Sequence, residues 1–122
     1  MAQPTDQPTD QPADEVVGVV HVRAADGRAD AAIAALEACA VRTHEEPGCL
    51  TYALHRDTAD PLHLVLVERW RSQADLDAHM TKPYVADLFA VAGTPGVLAE
   101  PPQLVFCSGL GLGDPAKGTL AG

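Results

Sequence analysis

Cations are scarce in this chain. Lys and Arg make up 8 of its 122 residues against 17 Asp and Glu, for a formal net charge of -9. No Lys or Arg precedes Arg23, and none gathers later into a basic stripe. Phosphate backbones need clustered cations, so no nucleic-acid partner is expected, and an anionic membrane surface falls to the same argument. No apolar run approaches the roughly 20 residues of a membrane span. The start of the chain has neither basic residues nor an apolar stretch, so no signal peptide is expected. The three cysteines, Cys39, Cys49 and Cys107, are an odd number without metal-type spacing. They read as reduced thiols of a cytoplasmic protein, used as small packing residues, with a reactive thiol as the alternative.

Several chemistry-bearing patterns are also missing. Gly109, Gly111 and Gly113 follow an apolar strand but lead into Asp114-Pro115 rather than a helix, so they form no dinucleotide fingerprint. Ala116-Lys117-Gly118-Thr119 has the wrong order for a phosphate loop. His44-Glu45-Glu46 lacks a second histidine at metal spacing. No Ser-His-Asp or Cys-His arrangement follows from spacing, and no metal, flavin or haem is implied by any motif.

The length suits one domain with a modest core, for which oligomerisation would add stability. Residues 1–15 repeat Gln-Pro-x-Asp from Gln3, Gln7 and Gln11. With regular proline, acidic charge and no large apolar side chain, this arm is expected to be disordered. The folded domain is expected over 16–109, and the Gly-rich stretch 110–122 as a flexible tail. Val16 to Arg23 reads as a strand. Ala29, Ala32, Ile33, Leu36 and Ala40 recur at helical spacing as far as the Pro47-Gly48 breaker. Cys49 to Arg56 and Leu62 to Trp70 read as strands joined by a hairpin-type loop. Ser72-Gln73-Ala74-Asp75 resembles a capping box opening a short helix, and Pro83 opens another that ends near Gly93. Gln103 to Ser108 forms the last strand. The order β-α-β-β-α-β predicts a ferredoxin-like α+β fold with an antiparallel sheet. Leu62, Leu64 and Leu66 share one face of their strand while Val65 and Val67 share the other, and Val16, Val20 and Val22 oppose Val17 and Val19. Helices can cover only one face, so a second copy of the sheet is expected on the other, giving a homodimer.

Several side chains suggest a site. Trp70, the only tryptophan, is either core or a wall that stacks a flat aromatic substrate and donates one hydrogen bond. His79 projects to the inner side of its helix, as a satisfied core group or as a base that accepts a phenol proton. Tyr52 shares a face with Leu50 and Leu54, and its hydroxyl could reach a pocket. Glu68, inside an apolar strand, needs a partner such as a histidine or a backbone amide, because Arg69 points to the other face. His21, His55 and His63 alternate with apolar residues and could line either a dimer seam or a pocket mouth.

Glu46-Pro47-Gly48-Cys49-Leu50, Tyr52, Glu68-Arg69-Trp70 and His79 belong to a run, 46–80, that resembles the antibiotic biosynthesis monooxygenase family. The resemblance covers roughly Val16 to Gly109. It implies a dimeric α+β barrel and, for several members, oxidation of quinols or anthrones without metal or flavin. The family position matching His79 is commonly histidine. The chain has no asparagine, and Leu66 and Leu76 stand where anthrone-oxidising members carry Asn and Tyr. Haem-degrading relatives also depend on an Asn. Together these readings predict a cofactor-independent monooxygenase acting on a small quinol or polycyclic, anthrone-like phenol. His79 and Trp70 would be catalytic, and Tyr52, Tyr84, Glu68, His21 and His63 substrate-binding. The alternatives are a non-catalytic dimer that binds a hydrophobic small molecule or stabilises a partner, and a cyclase or isomerase of an aromatic polyketide.

Overall fold

The computed structural model describes residues 14–120. In chain order the elements are β1 (Val16–Arg23), α1 (Ala29–Thr43), β2 (Cys49–Arg56), β3 (His63–Trp70), α2 (Gln73–His79), α3 (Pro83–Ala92) and β4 (Gln103–Cys107). The strands form one four-stranded antiparallel sheet in the order β2-β3-β1-β4. This is the ferredoxin-like arrangement, with the second helical crossover broken into α2 and α3. The break follows from Pro83: the residue before a proline is pushed out of helical geometry, and Lys82 is extended (φ −73°, ψ 141°). The Ser72 hydroxyl accepts the Asp75 N–H at 3.2 Å and caps α2.

The helices cover one face of the sheet. Beneath them lie Val20 and Val22 of β1, Leu64, Leu66, Glu68 and Trp70 of β3, and Tyr52 of β2, all buried. Ala32, Leu36, Cys39 and Thr43 form the buried stripe of α1, spaced by three and four residues. A β-bulge interrupts β2: Cys49 pairs with Trp70 and Thr51 with Arg69, leaving Leu50 as the extra residue. The expectation that Leu50 and Tyr52 share a face is therefore corrected, since Leu50 is exposed while Tyr52 is buried. Just before the bulge, Gly48 is needed for close approach. Any side chain there would run into Asp75, and the Gly48 carbonyl accepts the Arg71 N–H at 2.9 Å. The α1–β2 loop is thereby held against the start of α2.

The other face carries Val17, Val19 and His21 of β1, Val65, Val67 and Arg69 of β3, Ala53 of β2 and Val105 of β4, and none of the three helices lies over it. Arg69 is anchored there by Glu15: its Nε and Nη2 donate to the two carboxylate oxygens at 2.6 and 3.1 Å, and Nη1 donates to Thr51 Oγ1 at 3.2 Å. Both Glu15 and Arg69 are buried. The arm boundary expected at residue 15 is corrected accordingly, because Glu15 belongs to the fold; residues 1–13 of the expected arm lie outside the described residues. The tail carries no regular element as far as residue 120. It turns at Asp114, whose carbonyl accepts the N–H of Lys117 at 3.0 Å and of Gly118 at 2.6 Å. Among the described residues no helix is long and apolar enough to cross a membrane.

Glu15→Ala should lower the free energy of unfolding by about 2 kcal/mol, the scale of a hydrogen-bonded charged pair. An unchanged urea midpoint would show that this pair contributes nothing.

Candidate active site

A cavity opens between the helices and the covered face of the sheet. Leu36 of α1, Leu66 of β3 and Leu88 of α3 contribute to its walls, and its interior volume is about 60 Å³. The walls are almost wholly apolar. Tyr52, Glu68 and His79 are the lining residues with ionisable side chains.

His79 ends α2 and is buried. Its Nδ1 lies 2.8 Å from Glu46 Oε2, and the Tyr84 hydroxyl donates to that same oxygen at 2.6 Å. With Glu46 ionised, Nδ1 donates to that oxygen, and in the neutral imidazole Nε2 is then the accepting nitrogen. Every buried side-chain nitrogen and oxygen among the described residues has a partner. The His79 side chain also lines the cavity. The imidazole is held between aromatic rings, with centroid distances of 4.5 Å to Trp70 and 5.6 Å to Tyr52.

Glu68 is 4 % exposed. Its Oε1 accepts the Trp70 indole N–H at 2.8 Å. The Glu68 side chain also lines the cavity. Burial raises the pKa of this carboxyl and Glu46 adds to the rise, while the Trp70 hydrogen bond and His79 pull part of the way back. Burial also raises the Tyr52 phenol, whose hydroxyl sits 3.7 Å from Cys39 Sγ, and the Tyr84 phenol, where the bond to Glu46 adds to the effect. The Cys49 thiol is pushed up to about 11 by burial, then by Glu46 and Glu68, and presents no thiolate at neutral pH.

The structure brings His79, Glu68 and Tyr52 together on the cavity wall and reassigns the other expected residues. Trp70 is wholly buried and gives its only N–H to Glu68, so it stands behind the wall and orients Glu68 instead of stacking substrate. Tyr84 is not on the wall either; it steadies Glu46. His21 and His63 lie on the opposite face of the sheet, which corrects their expected role as substrate contacts. There His21 Nδ1 is 2.9 Å from His63 Nε2, and His63 Nδ1 is 2.8 Å from Asp57 Oδ2. Glu46 was missed by sequence reasoning. Its partners lie 33 and 38 residues away, and a lone acid before a Pro-Gly turn carries no local sign of them. Among the described residues no group of three His, Cys, Asp or Glu is placed to hold a metal ion.

A model of the family described as antibiotic biosynthesis monooxygenase matches residues 16–91. An uncharacterised protein of Synechocystis is 32% identical over 62 residues, which cover 51% of this chain and 41% of the relative. The chain thus spans about two fifths of the length of that curated relative. PA3566 from Pseudomonas aeruginosa has a similar structure, with 26% identity and a TM-score of 0.70 over 78% of this chain and 93% of its own. Rv0793 from Mycobacterium tuberculosis gives 27% identity and a TM-score of 0.72 over 79% and 95%. A candidate antibiotic biosynthesis monooxygenase from Nitrosomonas europaea gives a TM-score of 0.75 over 80% and 92%, and at 21% identity it bears on the fold alone.

Because Glu46 bonds the buried His79 and the half-buried Tyr84, Glu46→Ala should cost about 2–4 kcal/mol in urea unfolding, and Glu46→Gln, which keeps an accepting oxygen, should cost less. Equal stability of wild type and Glu46→Ala would show that the three-residue contact is not made in solution.

Proposed function

The chain belongs to the antibiotic biosynthesis monooxygenase family, and on that premise we propose that it oxygenates a small quinol or polycyclic, anthrone-like phenol without metal or flavin. The observation that carries this reading is His79: a buried imidazole on the wall of an apolar cavity, with Nδ1 2.8 Å from the Glu46 carboxyl. Nε2 accepts the phenol proton, and Glu46 stabilises the imidazolium that forms. The resulting phenolate is electron-rich enough to reduce O2, whereas the neutral phenol is far slower. One oxygen atom ends in the product as a new carbonyl or hydroxyl, and the other leaves as water with two hydrogens from the substrate. The apolar wall keeps bulk water from the anion.

The same base could enolise an aromatic polyketide without O2, so a cyclase or isomerase remains the second reading, supported by Glu68 and His79 standing as acid and base on one wall. Oxygen uptake with hydroquinone or anthrone tests the first reading, and product formation under anaerobic conditions would favour the second. His79→Ala should lower kcat by about 10²-fold while leaving the fold intact. Oxygen uptake that ignores the substitution would place the base elsewhere.

We also propose a homodimer in which a second copy covers the open face of the sheet. Val17, Val19, Val65 and Val67 there are only partly buried within one chain, which supports a partner. Sedimentation should show a dimer at micromolar concentration and a monomer for Val67→Asp, which would place a charge in the seam. A stable wild-type monomer would overturn the assignment.

A further inference from the structure

A carboxyl group buried without a cation is more costly as an anion than as an acid. Glu68 is in that position. Opposite it on β1 stands Gly18, which has no side chain, and the Phe106 ring of β4 fills the space, since a Cβ on Gly18 would come within 2.8 Å of that ring. From β2 come Tyr52, its register partner, and Cys49, whose thiol is pushed up to about 11. From the α1–β2 loop comes the Glu46 carboxylate, already engaged with His79 and Tyr84. From α2 comes His79. The nearest guanidinium in sequence, that of Arg69, is bound to Glu15 on the far face. Trp70 donates to Oε1, which makes Oε1 the accepting oxygen and leaves Oε2 as the atom that would bear a hydrogen.

We propose that Glu68 works as a neutral carboxylic acid, with Oε1 held by Trp70 and Oε2–H donating a hydrogen bond into the cavity to the substrate oxygen whose proton His79 takes. This rests on reading the cavity as the substrate site. The acid keeps its own proton. Its role is to stabilise the oxygen anion as it forms, in a low-dielectric setting where one well-placed donor counts for more than in water. Burial raises the pKa of Glu68 above the ordinary glutamate value, against the pull of Trp70 and His79. The arrangement also sets the class of ligand. The fixed charge at this end is the Glu46 carboxylate, and no Lys or Arg lines the cavity. The site therefore takes a neutral molecule with a phenolic or carbonyl oxygen at one end, and rejects ligands that bring a carboxylate or phosphate.

The sole tryptophan makes this testable on the protein itself, because its N–H is bonded to Glu68 and its emission responds when that carboxyl ionises. Compared with Glu68→Gln, wild type should show no Glu68-dependent change in Trp70 emission in the ordinary glutamate range of about pH 4–5. A component in that range that disappears in Glu68→Gln would show an ordinary carboxylate and overturn the proposal. Quenching of Trp70 by 1-naphthol, with 1-naphthoate as the anionic control, gives the second arm. Glu68→Gln, whose amide can both accept from Trp70 and donate to the ligand, should keep naphthol affinity within about threefold, while Glu68→Leu should lose about tenfold, the scale of one hydrogen bond. Naphthoate should bind more weakly than naphthol. Equal losses in Gln and Leu, no loss in Leu, or tighter naphthoate binding would each overturn it. If naphthol fails to bind wild type, the reading of the cavity as a substrate site fails, while the emission titration still decides the state of Glu68.

Discussion

Oxygen Oε2 of Glu46 accepts from the last residue of α2 and from the second residue of α3, and so ties both helices to the loop that enters β2. Much of the site depends on that contact. With Glu46 ionised it receives the Nδ1–H of His79, so that in the neutral imidazole Nε2 is the accepting nitrogen. Gly48 permits the contact, because a side chain there would push the loop away from α2. A buried carboxylate is normally a liability, and here two hydrogen bonds offset the cost.

Two carboxyl groups near one imidazole then acquire different characters from their surroundings. Glu46 has two donors on a single oxygen and suits a charge. Glu68 has one donor, an apolar setting and a like charge nearby, and suits a proton. Environments that push paired acids apart in this way are how a site obtains both an acid and a base near neutral pH. Trp70 contributes by holding Glu68 rather than by touching a ligand, so its burial and its functional value have the same origin.

Much of the fold was legible in the sequence because it rests on local rules. The valines of β1 and the alternating Leu and Val of β3 marked those strands and their two apolar faces, Ser72 and Pro83 marked the helix starts, and the order of elements gave the ferredoxin-like topology. The bulge at Leu50 was not legible, since one extra residue leaves no trace in an alternating pattern, and it changed which residue accompanies Tyr52 inward. Glu15 was taken for part of the arm on composition, whereas its partner Arg69 lies 54 residues away. His79, Glu68 and Tyr52 could be singled out as polar or aromatic residues at inward positions. Glu46, the inward use of the Trp70 N–H, and the outward face of His21 and His63 could not, because each depends on which side of the sheet the helices cover and on contacts distant in sequence.

The central claim is that the polar end of the cavity receives a phenolic oxygen between Glu68 and His79. A crystal structure with a bound polycyclic phenol tests it most directly. The account predicts that oxygen within hydrogen-bond distance of both Glu68 Oε2 and His79 Nε2, with the rings lying toward Leu88 and the cavity mouth. A phenol seated instead on the open face of the sheet, or in the cavity with its oxygen directed away from both groups, would contradict it.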